Sequence, residues 1–278
     1  MNIITVNVGQ GSLAIIRHNA EAMIVDAHIP PSNDETVAYV KKIFSAYLKD
    51  HYVKGFILTG FDEDHTDATG IGLILKKYRP DWIMYPTYYK DTDQAKNVFQ
   101  IIRQEERERK NTSRPLETKS VRLDNLSSRD LKGLSQNFDY ELFSPHTEDM
   151  DNSNNSSIVL RVQGKGQGGF SYLITGDTEN SRWETINKLF KHSLHSDVMA
   201  APHHGSRNAA NAETMLNVSP NTVLISAGVD NQYGHPDSQA AVAYSKVAKH
   251  VHSTAHVNSG ESLYTFPIVD DFETKLIK

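Results

Sequence analysis

Five polar clusters in this chain combine residue types that hold divalent cations or move protons. They are Asp62-Glu63-Asp64-His65, Asn154-Asn155-Ser156-Ser157, Gly176-Asp177, Pro202-His203-His204-Gly205-Ser206 and Asn231-Gln232-Tyr233-Gly234-His235-Pro236. Each follows a run that reads as a strand, and strand ends are where a shared site gathers its groups. Asp62, Asp64 and His65 fall within four residues of one another, directly after Ile57-Leu58-Thr59-Gly60. Carboxylates crowded in this way repel unless a cation offsets them, although an acidic loop in which Asp64 or Thr66 caps the next helix would give the same letters. Asp177, after Tyr172-Leu173-Ile174-Thr175, could equally form a turn. The adjacent imidazoles of His203 and His204 precede a glycine, which lets backbone approach a ligand closely. His235 stands before a rigid proline. Aspartates and histidines recurring in this order at strand ends point to a metal centre with oxygen and nitrogen ligands.

Composition narrows the chemistry. The chain has 278 residues and no cysteine, so disulfides, iron–sulfur clusters and thiolate zinc sites are excluded. Any metal must be held by His, Asp, Glu, Asn or backbone oxygen. Lys and Arg number 29 against 34 Asp and Glu, a net charge of −5, so any nucleic-acid site must be local and not a property of the whole surface. The 38% hydrophobic content is enough for a sizeable core. No apolar run approaches the ~20 residues of a membrane helix. The opening Met1-Asn2-Ile3-Ile4-Thr5-Val6 has no basic leader region, so the expectation is a cytoplasmic protein with no membrane partner.

The elements that must position these clusters can be read from periodicity. Ile3–Val8, Leu13–Arg17 and Ala22–Asp26 read as three strands of an antiparallel meander. Pro30–Glu35 starts a helix whose apolar face runs through Val37, Val40, Ile43, Phe44, Tyr47 and Leu48. A strand at 55–59, a helix at 70–77 and a strand at 82–85 follow. Residues 91–136 read as an inserted segment. Its helix over 93–110 carries a mixed-sign end, Arg103 to Lys110, that fits a solvated face better than a nucleic-acid patch. Strands resume at 140–143, 158–162 and 170–175, then at 197–201 and 222–226, with helices over 183–191 and 238–249. The second half repeats the first in outline, as two stacked sheets with outer helices would.

The sequence resembles the metallo-β-lactamase superfamily, and within it the hydrolase domain of ComEC-type DNA-internalisation proteins. The matching segments are Asn7–Ser12, Ile24–Asp26, Leu58–His65, Asn154–Leu160, Leu173–Asp177, Pro202–Ser206 and Tyr233–Pro236, in the same order and spread over the chain apart from about 91–136. The resemblance implies a single α/β domain, a four-layer αββα sandwich with one or two metal ions between its sheets. It also implies that Asp64, His65 and a bridging Asp177 hold one ion. That ion is the second of the pair; a further imidazole would come from His203, His204 or His235, with Asp62 belonging to the first ion and Asn155 nearby. The family motif opens with His in His-x-Asp-x-Asp-His, whereas this chain has Gly60 there, so one donor is missing.

The expected activity is hydrolysis of a phosphodiester by a metal-activated water, with DNA as the substrate and Mn²⁺ or Zn²⁺ as the ion. Oxygen-rich ligation favours Mn²⁺. Asp62, Asp64, His204 and His235 are the candidate catalytic groups. The candidate ligands are Asp62, Asp64, His65, Asp177, His203 and His235, and Ser206, Arg207 and Asn155 are candidate substrate contacts. Two alternatives stay open: hydrolysis of a small phosphodiester or nucleotide, and a degenerate domain that binds nucleic acid or a partner without turnover. A protein partner or self-association is left open as well.

Overall fold

The structure, a computed structural model, describes residues 1–30, 32–126, 128–149, 152–209, 211–256 and 265–268. Strands β1 (Asn2–Val6), β2 (Ala14–His18) and β3 (Glu21–Val25) form the antiparallel meander, with Ile3 opposite Ile16 and Ile16 opposite Met23. Helix α1 (Asp34–Leu48) starts where Asn33 accepts the Thr36 amide at 3.0 Å. Strand β4 (Tyr52–Ile57), helix α2 (Ala68–Leu73, prolonged as a π turn over Ile74–Tyr78) and strand β5 (Trp82–Pro86) follow, with β3, β4 and β5 parallel. The 91–136 segment supplies helix α3 (Asp93–Arg109), strand β6 (Glu117–Val121) and the short helix α4 (Ser128–Leu131), and β6 lies parallel to β5 at the sheet edge.

The second half has the same plan. Strands β7 (Phe138–Ser144), β8 (Val159–Gly164) and β9 (Ser171–Ile174) are antiparallel neighbours. Helix α5 (Asn180–Phe190), strand β10 (Val198–Ala200), helix α6 (Ala212–Val218), strand β11 (Thr222–Ile225), helix α7 (Ser238–Ser245) and strand β12 (His250–Ser253) then extend the sheet in parallel fashion. Strand β13 (Thr265–Ile268) returns to pair antiparallel with β1. The sheets have the orders β13-β1-β2-β3-β4-β5-β6 and β12-β11-β10-β9-β8-β7.

Alternation of side chains divides the apolar residues among three layers. Ile4, Ile15 and Ile24 face α1, meeting Val40, Ile43 and Phe44, while Ile3, Ile16 and Met23 point the other way, toward Leu160, Val162 and Tyr172 of the second sheet. On the far side, Leu173, Met199 and Val223 meet Trp183, Met215 and Tyr244 of the outer helices. The result is the four-layer αββα sandwich expected from the sequence. Among the described residues no helix is long and apolar enough to cross a membrane.

Three differences from the sequence reading have clear causes. Strand β6 has only Val121 buried, because an edge strand needs one apolar contact and not a full apolar stripe. The mixed-sign end of α3 is solvated at Arg103, Gln104, Arg107 and Glu108, but Glu105 and Arg109 are buried. Arg109 turns inward because its Nε donates to the Arg114 carbonyl at 2.8 Å, tying the helix to the loop before β6. Helix α7 ends at Ser245 and not at 249: the Val247 and Ala248 amides both donate to the Tyr244 carbonyl, at 3.1 and 2.9 Å, which closes the helix and turns the chain into β12.

Candidate metal centre

The site is built where the meander of one sheet meets the loops of the other. Asp26 directly follows β3 and is buried, only 1% exposed. Its Oδ1 accepts the Thr59 amide at 2.7 Å, and its Oδ2 accepts the Thr59 hydroxyl at 2.8 Å and lies 2.9 Å from His65 Nδ1. A carboxylate in this position can only accept, so His65 Nδ1 carries the proton and Nε2 of the neutral ring is left with a lone pair facing inward. The backbone around His65 is pinned on both sides: the His65 amide donates to the Asp62 carbonyl at 2.9 Å, and the Ala27 amide donates to the His65 carbonyl at 2.8 Å. The Ser12 amide holds the Asp64 carbonyl at 2.7 Å.

From the second sheet comes Asp177, just after β9, whose amide donates to Ser157 Oγ at 2.9 Å. The Ile158 amide donates to the Thr59 carbonyl at 2.9 Å, stitching the two sheets together beside the site. His204 is oriented by its Nδ1, which donates to the Ser226 carbonyl beyond β11 at 2.7 Å. The turn that presents it is strained. His203 and His204 adopt φ of 49° and 54°, and Gly205 follows at 81°. A non-glycine residue held there costs on the order of 1–3 kcal/mol, a feature that concentrates at functional sites. Glycine is required at 205 on a second count, since a Cβ there would stand 2.8 Å from Pro236 Cβ.

One ligand atom each from Asp64, His65, Asp177 and His204 converge so that all lie within 4.8 Å of one another. His65 Nε2 is 2.9 Å from Asp177 Oδ1, and His204 Nε2 is 3.6 Å from the same oxygen and 3.4 Å from Asp64 Oδ2. Yet His65 Nε2, Asp177 Oδ1 and His204 Nε2 are buried without an aligned hydrogen-bond partner. Leaving such an atom unsatisfied costs about 1–3 kcal/mol, and a cation at their centre would satisfy all three. A cavity of about 40 Å³ lined by Asp26, Thr59, His65, Asp177 and His204 adjoins the cluster, enough for an ion or a water. Two imidazole nitrogens and two carboxylate oxygens suit a divalent ion such as Zn²⁺ or Mn²⁺.

No protein-family model matches the chain. Among curated proteins it is 29% identical over 199 residues to ComE operon protein 3 of Bacillus subtilis, covering 70% of this chain and 23% of that protein. It is 33% identical over 98 residues to competence protein ComA of Neisseria gonorrhoeae, covering 35% of this chain and 14% of that one. The match therefore spans less than a quarter of either relative. Among solved structures it superposes on the metallo-β-lactamase fold protein YhfI of Bacillus subtilis with a TM-score of 0.51 at 12% identity, covering 95% of this chain and 99% of that one. It superposes equally on the metallo hydrolase Igni18 of Ignicoccus hospitalis, with a TM-score of 0.51 at 14% identity and coverages of 96% and 99%. The chain has the metallo-β-lactamase fold. The resemblance to ComEC-type proteins read from the sequence agrees with both curated relatives.

Within this metallo-β-lactamase fold, Asp64, His65, Asp177 and His204 are the sequence candidates brought together, so of the three imidazoles left open it is His204 that joins the cluster. His203 stands one step out, its Nε2 3.9 Å from Asp177 Oδ2 and its Nδ1 3.6 Å from Glu179 Oε1. The His235 ring lies 5.6 Å from that of His203 and 6.4 Å from that of His204. Asp62 serves the site through its backbone carbonyl, and its carboxylate is not among the four. Asn155 accepts the Glu179 amide at 3.1 Å and donates to Ser181 Oγ at 3.0 Å, bracing the start of α5. Ser206 is buried and accepts the Asn208 amide at 3.3 Å, whereas Arg207 is exposed. Where a Cβ would stand at Gly60 there is nothing within 4 Å, so the position lacks a donor but not the room for one. Asp26, Thr59, Ser157, Glu179 and Ser226 were given no role from the sequence. Asp26 carried the same signal as Asp177, an aspartate directly after an apolar strand.

The electrostatics of the cluster bind imidazoles and carboxylates to one another. Burial opposes the protonated forms of His65 and His204, but Asp177, with Asp26 beside the first and Asp64 beside the second, raises both above the ordinary imidazole value. Burial likewise opposes the charged form of Asp177, yet His65 and His204 hold it well below the usual carboxylate range; burial opposes the charged form of Asp64 too, but the neighbouring His204 and His65 bring it below its ordinary value. His235 is lowered by burial and by its histidine neighbours. The signs define a window. Stability from the raised imidazoles is fully present below about pH 6.5 and lost as pH rises through their folded values. Stability from the lowered carboxylates is present above about pH 3.9 and lost as pH falls through theirs. Metal-free protein should therefore melt highest in mildly acidic buffer. Because the ion displaces those imidazole protons, the gain in melting temperature from added Mn²⁺ should grow as pH is raised from 6 toward 8.5. A thermal-shift series in which the gain stays flat or shrinks would contradict this.

Proposed function

We propose that this chain is a metal-dependent phosphodiester hydrolase acting on nucleic acid, with DNA as the substrate. The observation that carries the reading is the convergence of Asp64, His65, Asp177 and His204, three of whose facing atoms are buried without an aligned hydrogen-bond partner. The similarity to a competence protein supports the choice of substrate. A divalent ion held by these four residues supplies Lewis-acid chemistry, acidifying water and polarising a phosphoryl oxygen. Asp26 and the Ser226 carbonyl fix the tautomers of the two imidazoles that would bind it. His235, outside the cluster with its ring 6.4 Å from that of His204, would exchange a proton with the leaving oxygen. Exposed Arg207, beside the histidine turn, is available to a phosphate.

The test is metal analysis of the purified protein together with cleavage of plasmid and oligonucleotide DNA in Mn²⁺, comparing wild type with Asp64→Ala. Cleavage by the variant should fall by at least about a hundredfold, and equal rates would sink the reading. Turnover of bis-p-nitrophenyl phosphate without any cut in DNA would instead indicate a small phosphodiester. Gly60 favours a second reading, a domain that binds without turnover, and binding without cleavage in Mn²⁺, Mg²⁺ and Zn²⁺ would support it. Gly60→His, which enters open space, should retain metal more tightly through dialysis than wild type.

A further inference from the structure

We propose that Tyr233 is a stacking platform for a nucleobase beside the phosphodiester held at the metal centre. The inference rests on the nucleic-acid reading above and names the part of the substrate, other than phosphate, that the site would grip. Tyr233 is 59% exposed, an unusual state for a large aromatic ring. It is not a disordered tip. Asn231 Oδ1 accepts the Tyr233 amide at 3.1 Å and the His235 amide at 3.0 Å, while Asn231 Nδ2 donates to the Gly228 carbonyl at 2.8 Å and to that of His235. The Gly228 amide in turn donates to Gln10 Oε1 at 3.2 Å, anchoring the loop to the first sheet's opening turn.

The rings form a ladder from solvent to the metal cluster. Tyr233 stacks on His235 at 5.8 Å between centroids and 27° between planes, and His235 stacks on His204 at 6.4 Å and 18°. The tyrosine thus has an imidazole beside it while more than half of the residue remains open to solvent. Tyr233 also lines a cleft of about 540 Å³ together with Asp64, Gln10, His28 and Gln232. A flat ring bound on Tyr233 would therefore share one cleft with the cluster carboxylate of Asp64. The remaining walls offer amides, an imidazole and the Glu63 carboxylate to the polar edge of a base, with no lysine or arginine among the cleft-lining residues. Stacking of a base on an aromatic side chain tolerates any sequence, so the device would select nucleic acid over other phosphodiesters without reading its sequence.

The experiment measures binding and cleavage as separate arms. Fluorescence anisotropy with a labelled oligo(dT), and with an abasic deoxyribose-phosphate oligomer of the same length, gives the ratio of the two affinities in Ca²⁺. Wild type is expected to favour the base-bearing oligomer by about tenfold or more. In Tyr233→Ala the ratio should collapse toward one, and Tyr233→Phe and Tyr233→Trp should restore it. A wild-type ratio of one, or a ratio that survives in Tyr233→Ala, overturns the proposal. Repeating the comparison with a thymidine dinucleotide tells whether the base can come from a free nucleotide or needs the polymer. Cleavage in Mn²⁺ is scored independently: a protein that binds oligo(dT) through Tyr233 but cuts nothing would refute the hydrolase reading and leave the platform standing.

Discussion

Asp177→Asn should weaken the binding of Mn²⁺ or Zn²⁺ by on the order of a hundredfold or more, since loss of even a supporting residue behind a ligand costs about 10–100-fold. The substitution keeps the shape of the side chain and removes its charge. Asp177 Oδ1 faces both cluster imidazoles, 2.9 Å from His65 Nε2 and 3.6 Å from His204 Nε2, and Oδ2 lies 3.9 Å from His203 Nε2. No other carboxylate of the cluster reaches so many of the histidines at these distances. Isothermal titration of the metal-stripped protein would measure the loss, and thermal shift would report whether the ion still stabilises the fold. Asp62→Asn is the control, because the Asp62 carboxylate lies outside the four-atom cluster and its working contact is the backbone carbonyl that accepts the His65 amide. A dissociation constant for Asp177→Asn equal to that of wild type, or a larger loss in Asp62→Asn, would show that the ion sits elsewhere.

The second large effect concerns the scaffold under the site. At Gly70 in α2 a Cβ would stand 2.0 Å from the Ala27 carbonyl oxygen, and backbone cannot swing aside as a flexible side chain would. Gly70→Ala must push α2 away from Ala27. That residue holds the His65 carbonyl, and Asp67 caps both Gly70 and Ile29 close by. The expected cost is at least about 3 kcal/mol, or roughly 6–12 °C in melting temperature for a chain of this size, with weaker metal binding as a consequence. Gly72, two positions along the same helix, has nothing within 4 Å of its would-be Cβ. Gly72→Ala should instead stabilise by about 0.5–1 kcal/mol through helix propensity. Opposite signs for two chemically identical changes can be checked by denaturant unfolding; a matching sign would refute the close-approach account.

Both expectations draw on different amounts of sequence information. The meander and the two stacked sheets with outer helices were legible because fully buried strands need near-continuous apolar runs, as in Ile3–Val6 and Tyr172–Ile174. Strand β6 was not legible, since Glu117, Thr118, Lys119 and Ser120 reveal no buried stripe and its place depends on β5 offering a free edge. The burial of Arg109 was hidden for a similar reason: only the loop before β6 supplies the carbonyls that draw it in. Asp26 could have been picked out by the rule that found Asp177, but its task of orienting His65 became visible only when Thr59 and His65 were seen around it.

The donor chemistry was determined by the sequence alone. With no cysteine present, aspartates and histidines following apolar runs could only compose a nitrogen and oxygen site, and their order already pointed to the fold. Which imidazole enters the cluster was decided by tertiary structure. His203 and His204 are identical in type and adjacent in the chain. What separates them is a left-handed turn through Gly205 and a carbonyl at Ser226, contributed by a different strand end, that rotates one ring inward and leaves the other facing Glu179. Local spacing does not encode that choice, because it depends on backbone angles and on a hydrogen bond that exist only once β10 and β11 lie side by side in the second sheet.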